Sequence, residues 1–566
     1  MKMKSLKLSI IALAGLLLAG CGGVEKMKEL PAGFTLKVTP NPVEVHANKV
    51  KATFEGTIPP KYFNKKAIVE ITPVVVYKGG ELALPSKVLQ GEDVQANNQV
   101  INYEAGGSWK HDVEFDYKNE MFSSEIELRF EITYKDKKVP FDAPQKVGIG
   151  TMATYKLVDI DVKPVMLNDK FVRVTSEEKE AQINFVIQKA DIRKSELTKE
   201  EIQMLNDFLV AAAQAQNKEI KELKISAYAS PDGPEKLNDK LSQDRGKNTD
   251  KYLADVFKKA KVEGLTPVVE FTAEDWDGFQ KAVQASDIED KELIIRVLSM
   301  YSDPEVREKE IKNLSKVYKV LAEKILPQLR RSRMVAKVDV IGYSDDTLRY
   351  MVENNTYDNL NIEEMLYAAT LVNDVNKKIE VYMKAGEKFN SARGYNNAAY
   401  YYILNKDAAA AKAALDKIPA DQKIAAVTNN RGCVAMLEGN FDEAEKLFAD
   451  AADAGSAVKY NLGIIAILKG QYPAAAEYLA GSDSFNQGLA LLLAGKVDAA
   501  KNTFNKVETA KGYYGRAIVG ARLAEEATVL DNLRTAFGKD ASLKDRAKED
   551  VEFRTFFQNE AFKALF

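Results

Sequence analysis

The chain has 566 residues, 46% of them hydrophobic and 29% charged, and its 80 Lys and Arg against 83 Asp and Glu give a net charge of −3. That length suggests about three or four domains of ordinary size, and the balanced charge excludes the electrostatic footprint of a nucleic-acid binder. With two cysteines and two histidines in the whole sequence, neither a disulfide framework nor a metal centre is expected, and no cofactor is called for.

The N-terminus begins with the basic stretch MKMKSLK and continues with LSIIALAGLLLAG. This apolar run is too short to span a bilayer and carries the flanks of an export signal. It ends in Leu18-Ala19-Gly20-Cys21, which resembles a bacterial lipobox. The resemblance implies a signal peptide at 1–20, lipidation of Cys21, and a short anchor and linker at 21–33. Several acyl chains would give a stable anchor. Cys433 would then be the single thiol of the mature protein. One glutamate, Glu25, and no acidic cluster follows the anchor, so the expected location is the periplasmic face of the outer membrane.

From 34 to 165 the hydrophobic period is two. Phe34, Leu36 and Val38 alternate, as do Val50, Ala52 and Phe54, and Ile126, Leu128, Phe130 and Ile132 alternate against charged neighbours. Many short strands between Pro and Gly turns predict a β-sandwich with one buried face per sheet. His46, His111 and Trp109 fall here and read as sheet-face residues.

From 175 to 345 strands and helices alternate. Strands are expected at 183–187, 223–228, 268–272 and 335–341, with Thr198-Lys199-Glu200-Glu201 as a capping box opening a helix whose buried stripe is Ile202, Leu205, Phe208 and Leu209. The second strand runs into Ser230-Pro231-Asp232-Gly233-Pro234 and then a helix containing Asn238, Leu241, Ser242, Arg245, Tyr252 and Leu253. This strand–turn–helix resembles the OmpA-like domains that grip peptidoglycan, whose pattern reads roughly G-x-T-D-x-x-G followed by N-x-x-L-S-x-x-R. The second half matches and Gly233 takes the place of the turn glycine, but Ser230 stands where the family has its aspartate. In the family that acid and the helix arginine hold the zwitterionic end of diaminopimelate. The resemblance therefore implies a peptidoglycan site built on Arg245 with Asp232, Ser230 and Asn238. The alternative is that Asp232 shapes the turn and Arg245 makes a surface ion pair. The turn A-S-P-D-G also resembles a variant subgroup with a longer stretch before the last strand. Within that stretch lie Glu274-Asp275-Trp276-Asp277, read as a turn with a packed tryptophan, and near its end Arg330, Arg331 and Arg333 form a basic cluster, read either as a ligand contact or as a solvated edge.

From 360 to 566 the sequence is helical and repeats. Asn397, Asn430, Asn461 and Asn486 recur at spacings of 33, 31 and 25 residues, and each is followed by a turn and a small residue, Ala411, Ala444, Ala475 and Ala500. The unit NNRGCVAMLEGNFDEAEKLFADA resembles a tetratricopeptide (TPR) repeat, which implies an α-helical solenoid with a groove for a protein or peptide partner. The four asparagines either bond an extended backbone in that groove or fix local helix geometry. A flanking helical pair at 362–385 would start the array, and Phe553, Phe556, Phe562 and Leu565 belong to an expected capping helix.

No nucleophile–base set, Walker loop or metal-protease motif occurs, so no enzyme and no catalytic residue is expected. The sequence thus predicts a multidomain chain with an N-terminal β-sandwich, a central α/β OmpA-like domain and a C-terminal α-helical TPR solenoid. It reads as a lipid-anchored envelope scaffold that binds peptidoglycan, a protein partner or both. The alternative is an accessory or assembly subunit of a secretion, barrel-insertion or fimbrial complex whose OmpA-like domain binds no peptidoglycan.

Overall fold

Strict alternation at 50–58 produces one of the two longest strands of the first sheet, Lys49–Ile58, which buries Val50, Ala52, Phe54 and Ile58 and turns its charged residues outward. The computed structural model of the chain describes residues 23–566 except 142, 290 and 314, together with no side chains at 315–317. The signal segment 1–20 and Cys21 lie outside the described residues. The chain divides into two units, Met1–Leu167 with Tyr382–Phe566, and Asn168–Val381.

In the first unit, Lys49–Ile58 pairs antiparallel with Thr35–Thr39 and with Gly107–Asp116. A second, seven-stranded sheet is built around Ala67–Tyr77 and Ser124–Tyr134. Both strands bury alternate apolar residues, among them Ile71, Val75, Ile126 and Leu128. Trp109 is buried and packs its ring over Gly56, where a Cβ would lie 2.5 Å from the indole nitrogen. The strands end at Met152, and a 3-10 turn, Thr154–Leu157, follows. Residues 158–167 form neither helix nor strand. The sandwich therefore stops short of 165: alternate apolar residues at 158, 160 and 162 carry the period of a strand, but no strand pairs with them.

The repeats are five helical hairpins, the first Ala392–Leu404 with Ala408–Leu415 and the last Ala510–Leu523 with Glu526–Lys539. Four were legible; the fifth lacks the asparagine and makes its turn through Ala524 at φ +58 instead of a glycine. The expected capping helix is broken into Leu543–Glu549, a 3-10 turn Val551–Phe556 and Glu560–Lys563, with Phe553 and Phe562 buried. Sandwich and hairpins share one hydrophobic core. Polar contacts join them too: the Thr154 hydroxyl donates to Glu552 at 2.5 Å, and Glu552 also receives Arg522.

In the second unit, four strands form a sheet in the order Val174–Asn184, Arg331–Ile341, Lys218–Tyr228, Val268–Thr272. The last pair is parallel and the others antiparallel. A parallel neighbour requires a crossover, which the helix Glu235–Ala260 supplies. Leu223, Ile225, Met334 and Ala336 of the strands meet Ile202, Leu205, Leu209, Leu253 and Phe257 of the helices in the core. The first strand begins at Val174, well before the expected 183, because its outer stretch VTSEEKE is exposed and carries no apolar alternation. The capping box is not formed. Thr198 ends a short helix and bonds the Ser195 carbonyl, and Glu200–Gln214 starts after Lys199 with no side-chain cap. A separate helical cluster, centred on Phe279, Val283, Ile294, Leu321 and Leu329, fills the stretch before the last strand. The helix Ile362–Leu371, expected to open the array, belongs to this unit, and the division between units falls inside the helix Val375–Phe389.

Candidate functional site

The repeated N-x-G signature explains itself on a helix. Two residues along an α-helix turn by about 200°, so the two positions point in opposite directions. Gly432, Gly463 and Gly488 face the second helix of their hairpins so closely that an added Cβ would lie 2.4–2.6 Å from Phe448, Leu479 and Phe504 respectively. Asn430, Asn461 and Asn486 therefore face the other way, toward the groove, and all are buried at 1% exposure or less.

That groove holds residues 158–167 of the same chain. Asn397 accepts from the Leu167 N–H at 2.8 Å and donates to the Leu167 carbonyl at 2.8 Å. Asn430 does the same for Val165, at 2.7 and 2.8 Å, and Asn461 for Lys163, at 2.8 and 3.0 Å. Asn486 completes the series on Asp159, at 2.8 Å in both directions. Each carboxamide thus closes a two-bond ring with one peptide residue, the exchange that adjacent strands make in a sheet. The gripped residues 163, 165 and 167 have the period of two of an extended chain, and Pro164 between them has no N–H to leave unpaired. Between Lys163 and Asp159 the series steps by four. The gap is filled by Asp161, whose carboxylate accepts from the Tyr460 hydroxyl at 2.9 Å and from Asn486 at 3.0 Å.

A second row supports the first. Asn396 donates to the Val165 carbonyl at 2.9 Å and Asn429 to the Lys163 carbonyl at 3.0 Å. Their own carbonyl oxygens accept from Asn430 and Asn461 of the following repeats, at 3.0 and 3.1 Å. Beyond Asn486, Lys511 continues the contacts by donating to the Leu157 carbonyl at 3.1 Å and pairing with Asp159. Reading the sequence missed Asn396, Asn429, Tyr460 and Lys511, although the doublets Asn396-Asn397 and Asn429-Asn430 were visible. Cys433 lies under this row with Asn461 Nδ2 3.4 Å from its sulfur, and burial pushes its thiol well above the ordinary range.

The turn residues of the second unit are also held in place by the chain itself. Ser230 Oγ donates to Asp232 at 2.6 Å, and the other oxygen of Asp232 accepts from Arg330 at 2.9 Å. Arg330 is buried. Asn238 donates to the Gly233 carbonyl at 2.9 Å and so fixes the turn. Arg245 is 1% exposed, which removes the surface ion pair as a reading. Its Nε and Nη1 donate to the carbonyls of Lys189 and Tyr228 at 3.1 and 2.8 Å, and its guanidinium lies 5.2 Å from the Phe185 ring. Burial, with Arg330 nearby and Asp232 only partly offsetting it, pushes the Arg245 guanidinium down to about 10. Of the three arginines, Arg330 is buried against Asp232 and Arg331 meets Asp275 at 2.7 Å, so neither is a solvated edge, whereas Arg333 is exposed on the last strand beside Glu180. Asp275 also caps the helix Trp276–Gln284 by accepting from the Gly278 N–H, and Trp276 donates to Glu274.

No family model matches the chain. A search of curated proteins finds no match. Solved structures similar to it are tetratricopeptide-repeat proteins that align with the helical C-terminal region. One is YrrB, described as a TPR protein with an unusual peptide-binding site, 24% identical over 30% of this chain and 99% of that one, with a TM-score of 0.25. Another is pilF of Pseudomonas aeruginosa, 16% identical over 38% of this chain and 97% of that one, at a TM-score of 0.26. A third is a tetratricopeptide repeat protein from Parabacteroides merdae, 13% identical over 37% of this chain and 91% of that one, at 0.29.

Proposed function

We propose that this chain is a lipid-anchored scaffold of the bacterial envelope: Cys21 carries the anchor, the OmpA-like domain contacts peptidoglycan, and the sandwich with its repeat array forms a docking body for other proteins. The reading assigns it binding and no turnover. The observation that carries the scaffold part is the asparagine ladder, eight main-chain bonds from Asn397, Asn430, Asn461 and Asn486 to an extended segment. Recognition through main-chain groups is the chemistry of protein–protein contact. Here the groove is used on the chain's own connector, so a partner protein docks on another surface or must displace residues 158–167. The lipobox and the strand–turn–helix motif support the envelope part.

One observation favours the second reading, an assembly subunit that leaves peptidoglycan alone: Asp232, the acid left to meet a ligand ammonium, is already paired with Arg330. One experiment tests the anchor and another separates these readings. Metabolic labelling with a fatty acid should tag the wild-type chain and not Cys21→Ser; equal labelling of both removes the anchor. Purified sacculi should retain the mature chain and release it on Arg245→Ala. Retention unaffected by that substitution, or none at all, leaves the assembly-subunit reading.

A further inference from the structure

The cleft beside the turn is small, with about 30 Å³ of free space, and is lined by Ile187, Gln188, Ser230, Leu237, Asn238 and Leu241 above Arg245. Three charges surround it: Arg245, Arg330 and Asp232. Arg330 and Asp232 form a nearly buried pair at 2.9 Å, and their side chains are 9% and 12% exposed. Arg245 makes no ion pair among the described residues; its two partners are neutral carbonyls, and its Nη2 edge carries no hydrogen bond. The cleft therefore holds one more positive than negative charge, with the Nη2 edge of Arg245 turned to its free space, an arrangement that favours an anion. The positive end of the 26-residue helix Glu235–Ala260 opens at the same turn and adds to that preference. A free space on the scale of a water or two accommodates a planar carboxylate on a free guanidinium edge. The acid among the lining residues, Asp232, already holds a cation.

We propose that Arg330 sets the ligand class of this cleft: by occupying Asp232 with a guanidinium of the chain itself, it restricts the cleft to a carboxylate that has no neighbouring ammonium. This rests on the reading of the cleft as the ligand site of the peptidoglycan-contacting domain, and it changes which end of a cell-wall peptide is taken. A free terminal carboxylate on an amide-linked residue fits; the zwitterionic end of a diamino acid does not.

The test is ligand-observed NMR on the full mature chain with N-acetyl-D-alanine, which has a carboxylate and no ammonium, and with meso-diaminopimelate, which has both. Retention on sacculi is measured in parallel. The expected result is at least tenfold tighter binding of N-acetyl-D-alanine, loss of it in Arg245→Gln, and a reversed preference in Arg330→Gln, where Asp232 is released. Arg330→Lys, which keeps the charge on Asp232, should behave as the wild type. A wild-type chain that prefers meso-diaminopimelate, or does not distinguish the two, overturns the proposal while leaving the peptidoglycan reading intact. The same holds if neither small ligand binds but sacculi are retained. If sacculi are not retained either, both fall.

Discussion

An asparagine side chain is a peptide group on a one-carbon stem, and four of them here meet backbone as another strand would. Replacing one leaves a buried N–H and a buried carbonyl without partners, each costing about 1–3 kcal/mol. Asn430→Ala should therefore destabilise the first unit by roughly 2–4 kcal/mol, read from the shift of its denaturation midpoint, whereas Asn440→Ala in the exposed turn should have little effect. Asn430→Asp should be worse than Ala, because it sets an acceptor against the Val165 carbonyl and the Asn396 oxygen. If Asn430→Ala has the stability of the wild type, the ladder contributes nothing. The four asparagines were visible as a recurrence, and helix geometry placed each opposite its glycine. What they hold was not visible, because residues 158–167 have the composition of a strand and their partners lie 230–327 residues away. Arg330 was misjudged for a related reason. Arginine next to arginine reads as surface, and only the fold brings Asp232, 98 residues distant, against it. Cys433, with its thiol pushed up by burial, should resist alkylation in the native chain at neutral pH and react only on unfolding; rapid labelling of folded protein would contradict its placement beneath the ladder.

At the scale of elements, the ladder should distinguish alternate residues of the strand it grips. Val165 uses its N–H and Met166 has no bond of that kind to the array. Val165→Pro should thus cost about 1–3 kcal/mol, the penalty of an unpaired buried group, and Met166→Pro, following the natural Pro164, should cost clearly less. Equal effects would mean the segment is held by its side chains. The hairpin turns invite a second comparison. Gly439, Gly470 and Gly495 make three of them at φ +72 to +80, while the first repeat uses Lys406 at φ +59. The left-handed conformation costs a residue with a side chain about 1–2 kcal/mol, and glycine loses about 0.5–1 in backbone entropy. Lys406→Gly should accordingly raise the melting midpoint slightly; a fall would show that the lysine side chain has a stabilising contact there. Strand existence and type were readable at 50–54 and 126–132, where one face is buried, but not at Gly107–Asp116, which buries Trp109, Val113 and Phe115 on one face. They were not readable at 174–180, where both faces are wet, nor at Thr198, whose spacing to Glu201 fits a capping box while its hydroxyl turns back to Ser195.

For the whole molecule, the most instructive difference lies between domains inferred along the sequence and units observed in space. The sandwich and the array share a core although 214 residues (168–381) intervene, so cutting the chain at composition boundaries would split one cooperative body. The second unit has its own core, and one buried side chain contributes to its acid stability alongside the exposed Asp287 and Asp345. Burial raises the Glu196 carboxyl, but Lys199, the Asn184 N–H and Arg193 outweigh it and hold it below the usual carboxylate range. A depressed native value stabilises above the unfolded one of about 4.3 and is lost as pH falls through the folded value. Urea denaturation of this unit should therefore show stability dropping below about pH 4–5, with Glu196→Gln less stable at pH 7 and flatter in acid. An unchanged acid profile would assign the loss to other carboxylates.

Time adds a constraint that a finished structure conceals. A chain made from its N-terminus presents residues 158–167 before the first asparagine that will hold them, which follows 230 residues later. At about 5–20 residues per second that is a wait on the order of ten to fifty seconds. During it an extended, valine-rich segment stands open to pairing with any other nascent chain. Asp159, Asp161, Lys163 and Pro164 are the residues that break such pairing. The charges that the groove later contacts, and the proline it tolerates, also protect the strand until the groove exists.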